Sequence, residues 1–209
     1  MTSPDRGPGF ESEEAARAWE AAEEALRDLV LQCLDRSGLR PDHAVLDLGC
    51  GTGWTTRLIG AFLREGRAFG LDPSALLVDR ARSLPAPPRV SFTQAPVEAL
   101  PLADASLDRV FVLGSPLLQQ AAEAVLAEAF RVLRPGGRFL ALLLPPGLGP
   151  APPGAEPAAA PEPAVWRERL QRAGFSGAAV EALEDRRQPQ EGEEKRQALL
   201  LLGDRPDDA

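Results

Sequence analysis

Tyrosine is missing altogether, histidine and methionine occur once each, and 209 residues contain two cysteines. Cys33 fits the apolar side of a helix and Cys50 sits in a glycine turn. Those positions give no reason to expect a disulfide, and no zinc-ligand spacing exists, so no metal is expected. This cysteine usage suits a reducing, cytoplasmic location. No apolar run approaches the roughly 18 residues of a membrane span, and the polar N-terminus, with its Pro and Gly, does not read as a signal peptide. A basic block is lacking too. Twenty-three basic residues face 31 acidic ones for a net charge of −8, which argues against a nucleic-acid partner. The missing tyrosine, beside heavy use of Ala, Arg and Pro, is a compositional bias from which no function is drawn.

What is present is enough for a core. Hydrophobic residues make up 44% of the chain, which suffices for one α/β domain spanning 1–209. Residues 1–11 read as a mobile N-terminus. A helix follows over 12–37, with Ser12 as its cap, Glu13 and Glu14 at its positive end, and Trp19, Ala22, Leu26, Leu29, Val30 and Cys33 on one face. Gly38 and Pro41 stop it. This helix either packs on a sheet or forms a lid over a ligand mouth with Phe10 or Trp19 facing in.

The centre of the sequence is Val45-Leu46-Asp47-Leu48-Gly49-Cys50-Gly51-Thr52-Gly53. A strand-forming apolar run ends in three glycines at alternate positions, and a helix over Thr55–Glu65 follows. Glycine permits positive φ and lets a ligand approach bare backbone. The helix that opens there points free N–H groups into the turn. The spacing Gly-x-Gly-x-Gly differs from the Gly-x-Gly-x-x-Gly of dinucleotide-binding folds, which disfavours a nicotinamide-dependent oxidoreductase. Asp72 ends a second strand, Ala68–Leu71, roughly 20 residues beyond the glycines, where a carboxylate can accept two bonds from a ribose diol.

The α/β alternation continues with a helix at Ala75–Ser83, strands at Arg89–Thr93 and Arg109–Leu113, a long helix over Leu117–Leu133 and an apolar strand at Arg138–Leu144. It argues for a doubly wound, Rossmann-like sheet with right-handed crossovers. Residues 145–163 hold eight prolines, five alanines and three glycines, a composition that behaves as a loop or tether. A helix at Ala164–Ala173 precedes two last strands, Val180–Leu183 and Gln197–Leu202, joined by an acidic turn at Glu191, Glu193 and Glu194. The fold expected is a seven-stranded, mostly parallel sheet with an antiparallel last strand. Asp204 to Ala209 read as frayed. His43, in the turn before the first strand, falls at the amino end of the sheet. Ligands bind at the other end, so it reads as a surface or structural residue.

Four features in order, the glycine turn, Asp72, the run Glu98-Ala99-Leu100-Pro101-Leu102 followed by Asp108–Leu113, and Arg131-Val132-Leu133-Arg134-Pro135-Gly136-Gly137-Arg138-Phe139, carry a family resemblance. The chain resembles the class I S-adenosylmethionine-dependent methyltransferases, in particular the small-molecule group that includes the ubiquinone and menaquinone methyltransferases. The resemblance runs from about Val45 to Leu144 and weakly on to Leu202. It implies S-adenosylmethionine as cofactor and a small-molecule acceptor. It places Asp47, Gly49, Cys50, Gly51 and Gly53 around the methionine part, Asp72 on the ribose hydroxyls and Pro73 beside the adenine. Val97 would give its N–H to the base and Leu113 its carbonyl to the ammonium.

Two departures stand out. Many relatives carry an Asp where this chain has Pro96, which offers neither carboxylate nor N–H to the adenine. One lost hydrogen bond costs on the order of 1 kcal/mol, so weaker cofactor binding is expected. Gly114-Ser115-Pro116 replaces the polar or histidine residues common near the acceptor, which leaves Ser115 as a candidate substrate contact and no residue marked as catalytic. Asp104 and Asp108 read as loop and strand-end residues. No Asn-Pro-Pro-Tyr signature and no Pro-Cys nucleophile is present. A cofactor-binding or partner-binding protein without catalysis stays open as the alternative.

Overall fold

The computed structural model describes residues 13–145, 162–186 and 197–207. In chain order the elements are α1 (Glu13–Arg36), β1 (Ala44–Leu48), α2 (Trp54–Phe62), β2 (Arg67–Asp72), α3 (Ala75–Ser83), β3 (Val90–Gln94), β4 (Leu107–Leu113), α4 (Leu117–Gln120), α5 (Ala122–Val132), β5 (Leu133–Leu143), α6 (Pro163–Arg172), β6 (Ser176–Glu184) and β7 (Gln197–Asp204). Among the described residues seven strands form one sheet in the order β3-β2-β1-β4-β5-β7-β6. The first five strands are parallel to one another, and β7 runs antiparallel to both β5 and β6. The expected Rossmann-like sheet with its antiparallel last strand is therefore what the chain forms. The topological switch lies between β1 and β4, where open α/β sheets bind ligands beyond the strand carboxyl ends.

Strand alternation divides the core into two layers. Val45, Phe111, Leu113, Leu140, Leu142 and Leu200 face α1 and α2, meeting Leu29, Val30, Cys33 and Ile59. Leu46, Val110, Val112, Phe139, Ala141 and Leu201 face α5 and α6, meeting Val125, Ala129, Trp166 and Leu170. Both faces of the central strands are covered, which accounts for runs as apolar as Phe139–Leu143. Trp166 is fully buried, and its Nε1 is the one buried side-chain polar atom among the described residues with no hydrogen-bond partner.

Several boundaries differ from the sequence expectation. The long helix over Leu117–Leu133 is broken at Ala121 (φ −141°, ψ 48°) into α4 and α5; nothing in the described contacts explains the break. Helix α5 stops at Val132 because Pro135 disfavours α geometry at Arg134, and β5 starts at Leu133 rather than Arg138. Strand β6 starts at Ser176, with a register shift between Ser176 and Ala179. The expected fraying from Asp204 onward does not hold for its first two residues. Asp204 takes both Nε and Nη2 of Arg138, at 2.6 and 3.1 Å. Arg205 donates to the carbonyls of Phe130 and Arg131 at 3.0 and 3.1 Å, satisfying acceptors that the end of α5 leaves open.

His43 is structural, as expected. It is buried, accepts the Arg40 N–H at 3.2 Å on Nδ1, and is held below the usual histidine pKa by burial and by the Arg109 guanidinium. Phe10, the Ser12 cap, the N-terminal segment 1–11, most of the Pro/Ala-rich stretch and the acidic turn at Glu191–Glu194 lie outside the described residues.

Candidate active site at the carboxyl edge of the sheet

The bend after β1 is built on the end of β2. The N–H groups of Gly49 and Cys50 both donate to the Leu71 carbonyl, at 2.7 and 3.1 Å. Gly49, Gly51 and Gly53 adopt φ of 76°, 55° and 81°. The need for glycine is steric as well as conformational at Gly49. A Cβ there would stand 2.2 Å from Ser115 Oγ and 2.9 Å from Leu117 Cδ1.

Asp47 and Asp72 reach this bend from neighbouring parallel strands. Asp47 shares a face with Val45 and so points towards α2, where it accepts Thr56 Oγ1 at 2.6 Å. It also takes a bond from the Thr56 backbone and thereby ties the open first turn of α2, which Gly53 cannot cap with a side chain, to the end of β1. Asp72 Oδ2 accepts the Gly51 N–H at 3.0 Å and Oδ1 accepts the Ser74 N–H at 2.9 Å. The Asp72 carbonyl takes the Ala95 N–H at 3.2 Å. One residue thus joins the glycine bend, the start of α3 and the loop after β3.

Both carboxylates are buried, and burial dominates their chemistry. It pushes Asp47 up to about 7, against the Thr56 hydroxyl, which lowers it, and with Asp72, which raises it further. It pushes Asp72 up to about 6, opposed by the Ser74 and Gly51 N–H groups. Cys50 is buried beside them, and burial followed by the charges of Asp47 and Asp72 keeps its thiol protonated, which removes it as a nucleophile.

The other residues singled out by sequence fall around this pair. Pro73 is half-buried behind Asp72, Leu113 is buried at the end of β4, and Pro96 is exposed. Val97 is buried, and its N–H has no partner among the described residues. Ser115 is buried against Gly49, where its Oγ accepts the Leu117 N–H at 3.3 Å. Phe10 lies outside the described residues, and of Trp19 the backbone within α1 is described. Asp104 pairs with Arg131 at 2.6 Å, and Asp108 accepts the Ala44 N–H at 2.7 Å, so both are held in structural contacts.

A cleft opens between the bend and α1, lined by Leu26, Val30, Asp47, Gly49, Trp54 and Leu113, with a cavity volume of about 20 Å³. That is room for about one water molecule. Sequence reasoning placed Leu26 and Val30 on a helix stripe without assigning them to the cleft, and missed Thr56 and Trp54. Thr56 had a signal: it stands in the first turn of a helix that opens on an uncapped glycine.

The donor set suits S-adenosylmethionine. A carboxylate at the end of β2, a glycine-rich bend beside it and a Val97 N–H with no partner among the described residues could meet a sugar diol, an amino-acid chain and a base in that order. A cavity of about 20 Å³ is smaller than that donor, so the cleft must widen to admit it.

Comparison with known proteins agrees. A family model described as methyltransferase domain matches residues 45–137. The chain is 37% identical over 120 residues to methyltransferase GfsG of Streptomyces halstedii, covering 56% of this chain and 43% of that one. It is 38% identical over 115 residues to the ubiquinone/menaquinone biosynthesis C-methyltransferase UbiE of Pasteurella multocida, covering 52% and 42%. The matched segment thus spans less than half the length of these curated relatives. Among solved structures, a putative methyltransferase of Haloferax volcanii, in complex with the Trm112 methyltransferase activator, superposes with a TM-score of 0.76 at 23% identity, covering 94% of this chain and 98% of that one. The glycine bend and Asp72 fall inside the stretch, residues 45–137, that matches the methyltransferase-domain model, and over that stretch the chain is similar to class I S-adenosylmethionine-dependent methyltransferases.

Proposed function

We propose that this protein transfers a methyl group from S-adenosylmethionine to a small-molecule acceptor by in-line displacement. The observation that carries the reading is Asp72, whose two oxygens face the glycine bend and the turn into α3. Each oxygen accepts one backbone N–H and retains a lone pair for a ribose hydroxyl. Asp47 and the bend from Gly49 to Gly53, with Cys50 in it, would flank the methionine part. Pro73 and Pro96 would border the adenine, Val97 would donate its N–H to a ring nitrogen, and the Leu113 carbonyl would face the ammonium. Phe10, Trp19 and Ser115 are proposed on the acceptor side.

The bound donor supplies both the methyl electrophile and its leaving sulfide. The chain's task is to hold acceptor and methyl in line and to exclude water. The apolar wall of Leu26, Val30 and Leu113 suits exclusion. Asp47 and Asp72, when ionised, place negative charge beside the donor's cationic centres. The relatives' names point to small molecules: UbiE is a methyltransferase of ubiquinone and menaquinone biosynthesis. No helix among the described residues is long and apolar enough to cross a membrane.

Two measurements test this. Calorimetry should show binding of S-adenosylmethionine and of S-adenosylhomocysteine, and a panel of phenolic, amine, thiol and carbon acceptors should show turnover with at least one. Binding without turnover on every acceptor would favour the second reading, a cofactor-binding protein without catalysis, which Pro96 and the narrow cleft motivate.

The raised carboxyl pKa values give a pH prediction. Both groups hold protons in the folded protein at pH values where they are ionised in the unfolded chain. Their contribution therefore makes the ligand-free fold less stable as pH rises from about 4 through 7. A cationic donor favours the ionised forms, so its affinity should rise with pH through the 6–7 range, and binding at pH 6 should release protons. Calorimetry in two buffers of different ionisation enthalpy reads that release directly. Affinity flat from about pH 5.5 to 8 would remove both carboxylates from the donor's surroundings.

A further inference from the structure

We infer that Gln94 selects the base of the donor by accepting a hydrogen bond from its exocyclic amino group, an inference that rests on the proposed cofactor site. Gln94 is the last residue of β3 and lies in register with Asp72 across the parallel β2–β3 pair. It therefore stands at the carboxyl edge beside the residue assigned to the ribose. Its side chain is exposed but anchored: Nε2 donates to the Pro73 carbonyl at 3.1 Å. A carbonyl can only accept, so this contact sets the amide orientation. The nitrogen faces Pro73 and Oε1 faces away from it, with both lone pairs and no partner among the described residues.

The neighbouring positions leave this role open. Pro96 has neither a carboxylate nor an N–H. The Ala95 N–H is engaged by the Asp72 carbonyl at 3.2 Å. Val97 supplies a donor, which satisfies a ring nitrogen but cannot accept from an amino group. An adenine presents one edge with an amino donor next to a ring acceptor, and an amide oxygen beside a backbone N–H complements that edge. Alternating side chains put Gln94 and residue 96 on the same side of an extended segment, so an amide anchored at 94 can reach towards the place that a carboxylate at 96 would serve. Glu98 is exposed, and no hydrogen bond among the described residues orients it.

The test compares S-adenosylhomocysteine with its purine-riboside counterpart, in which hydrogen replaces the exocyclic amino group and the ring acceptor is kept. Wild-type protein should prefer the adenosyl ligand by about tenfold or more, the ratio equivalent to about 1.4 kcal/mol. Gln94→Ala should shrink the preference to about twofold or less, by weakening the adenosyl ligand alone. Gln94→Glu keeps an acceptor but loses the Pro73 anchor, so it should keep a preference between those of wild type and Gln94→Ala, and Pro96→Asp placed in the Gln94→Ala protein should restore it. A purely structural role for Gln94 would weaken both ligands equally and overturn the inference. So would a preference that survives Gln94→Ala and disappears in Glu98→Ala. Wild-type protein that binds neither ligand overturns the cofactor site itself, whereas adenosyl preference indifferent to Gln94 overturns this assignment alone.

Discussion

Replacing Asp72 with alanine should weaken S-adenosylmethionine binding by at least about tenfold, and the loss should exceed that of any other single side-chain removal at the site. Two hydroxyl-to-carboxylate bonds disappear, each worth on the order of 1 kcal/mol or more because the acceptor is charged. The same carboxylate receives the Gly51 and Ser74 N–H groups, so its removal also releases the bend and the start of α3. Asp72→Asn separates the two contributions. The amide keeps one acceptor oxygen for a backbone N–H but loses the charge. It should therefore lie between wild type and Asp72→Ala in affinity. Calorimetry with S-adenosylhomocysteine measures both. Equal affinity for wild type and Asp72→Ala would mean that the ribose lies elsewhere, and with it the whole placement of the donor.

The second large effect is expected at Gly49. Gly49→Ala places a Cβ 2.2 Å from Ser115 Oγ and 2.6 Å from Ser115 Cβ, in a backbone conformation at φ 76° that L-residues avoid. The left-handed conformation and the overpacking together should cost on the order of 3 kcal/mol of stability. Because the bend must move to relieve the clash, donor affinity should fall as well, by more than about tenfold. Ser115→Gly in the same protein removes the two closest contacts and leaves the conformational component and the Leu117 contact. The double variant should regain roughly half of the lost stability, on the scale that overpacking carries. Denaturant unfolding reads the stability, and product binding reads the bend. A Gly49→Ala protein as stable as wild type would show that Ser115 yields freely and is no wall of the site.

Much of this site could be read from the chain because the chemistry sits at fixed offsets from punctuation. Three glycines after an apolar run locate the bend, and an acid at the end of the next strand locates its partner. Leu26, Val30 and Trp54 could not be read that way. A stripe position on a helix looks the same whether it meets a sheet or a cleft, and only the placement of α1 over the β4 and β5 ends distinguishes them. Ser115 against Gly49 was illegible for a related reason: the contact depends on the β1–β4 register, which no local pattern encodes. The fold was legible in its parallel half, where strand and helix alternate at close intervals. Its boundaries were less so. The Arg134–Gly137 stretch reads as a helix stop and turn, yet the β4–β5 pairing extends back to Leu133 through a register shift beside Leu107. Asp204 and Arg205 looked like a tail because their partners, Arg138 and the end of α5, lie far back in the chain.

The seat of β7 has a consequence for assembly. Strand β6 is synthesised first, yet its neighbour in the sheet is β7, so β6 reaches the rest of the sheet only through the later-made strand that pairs with β5. Until that happens a growing polypeptide carries two unpaired borders, β5 and β6, and the Arg138–Asp204 clasp has one jaw missing. Completion of this half of the sheet therefore waits on the latest-made strand, a non-local closure of the kind that slows folding and leaves sticky borders open meanwhile.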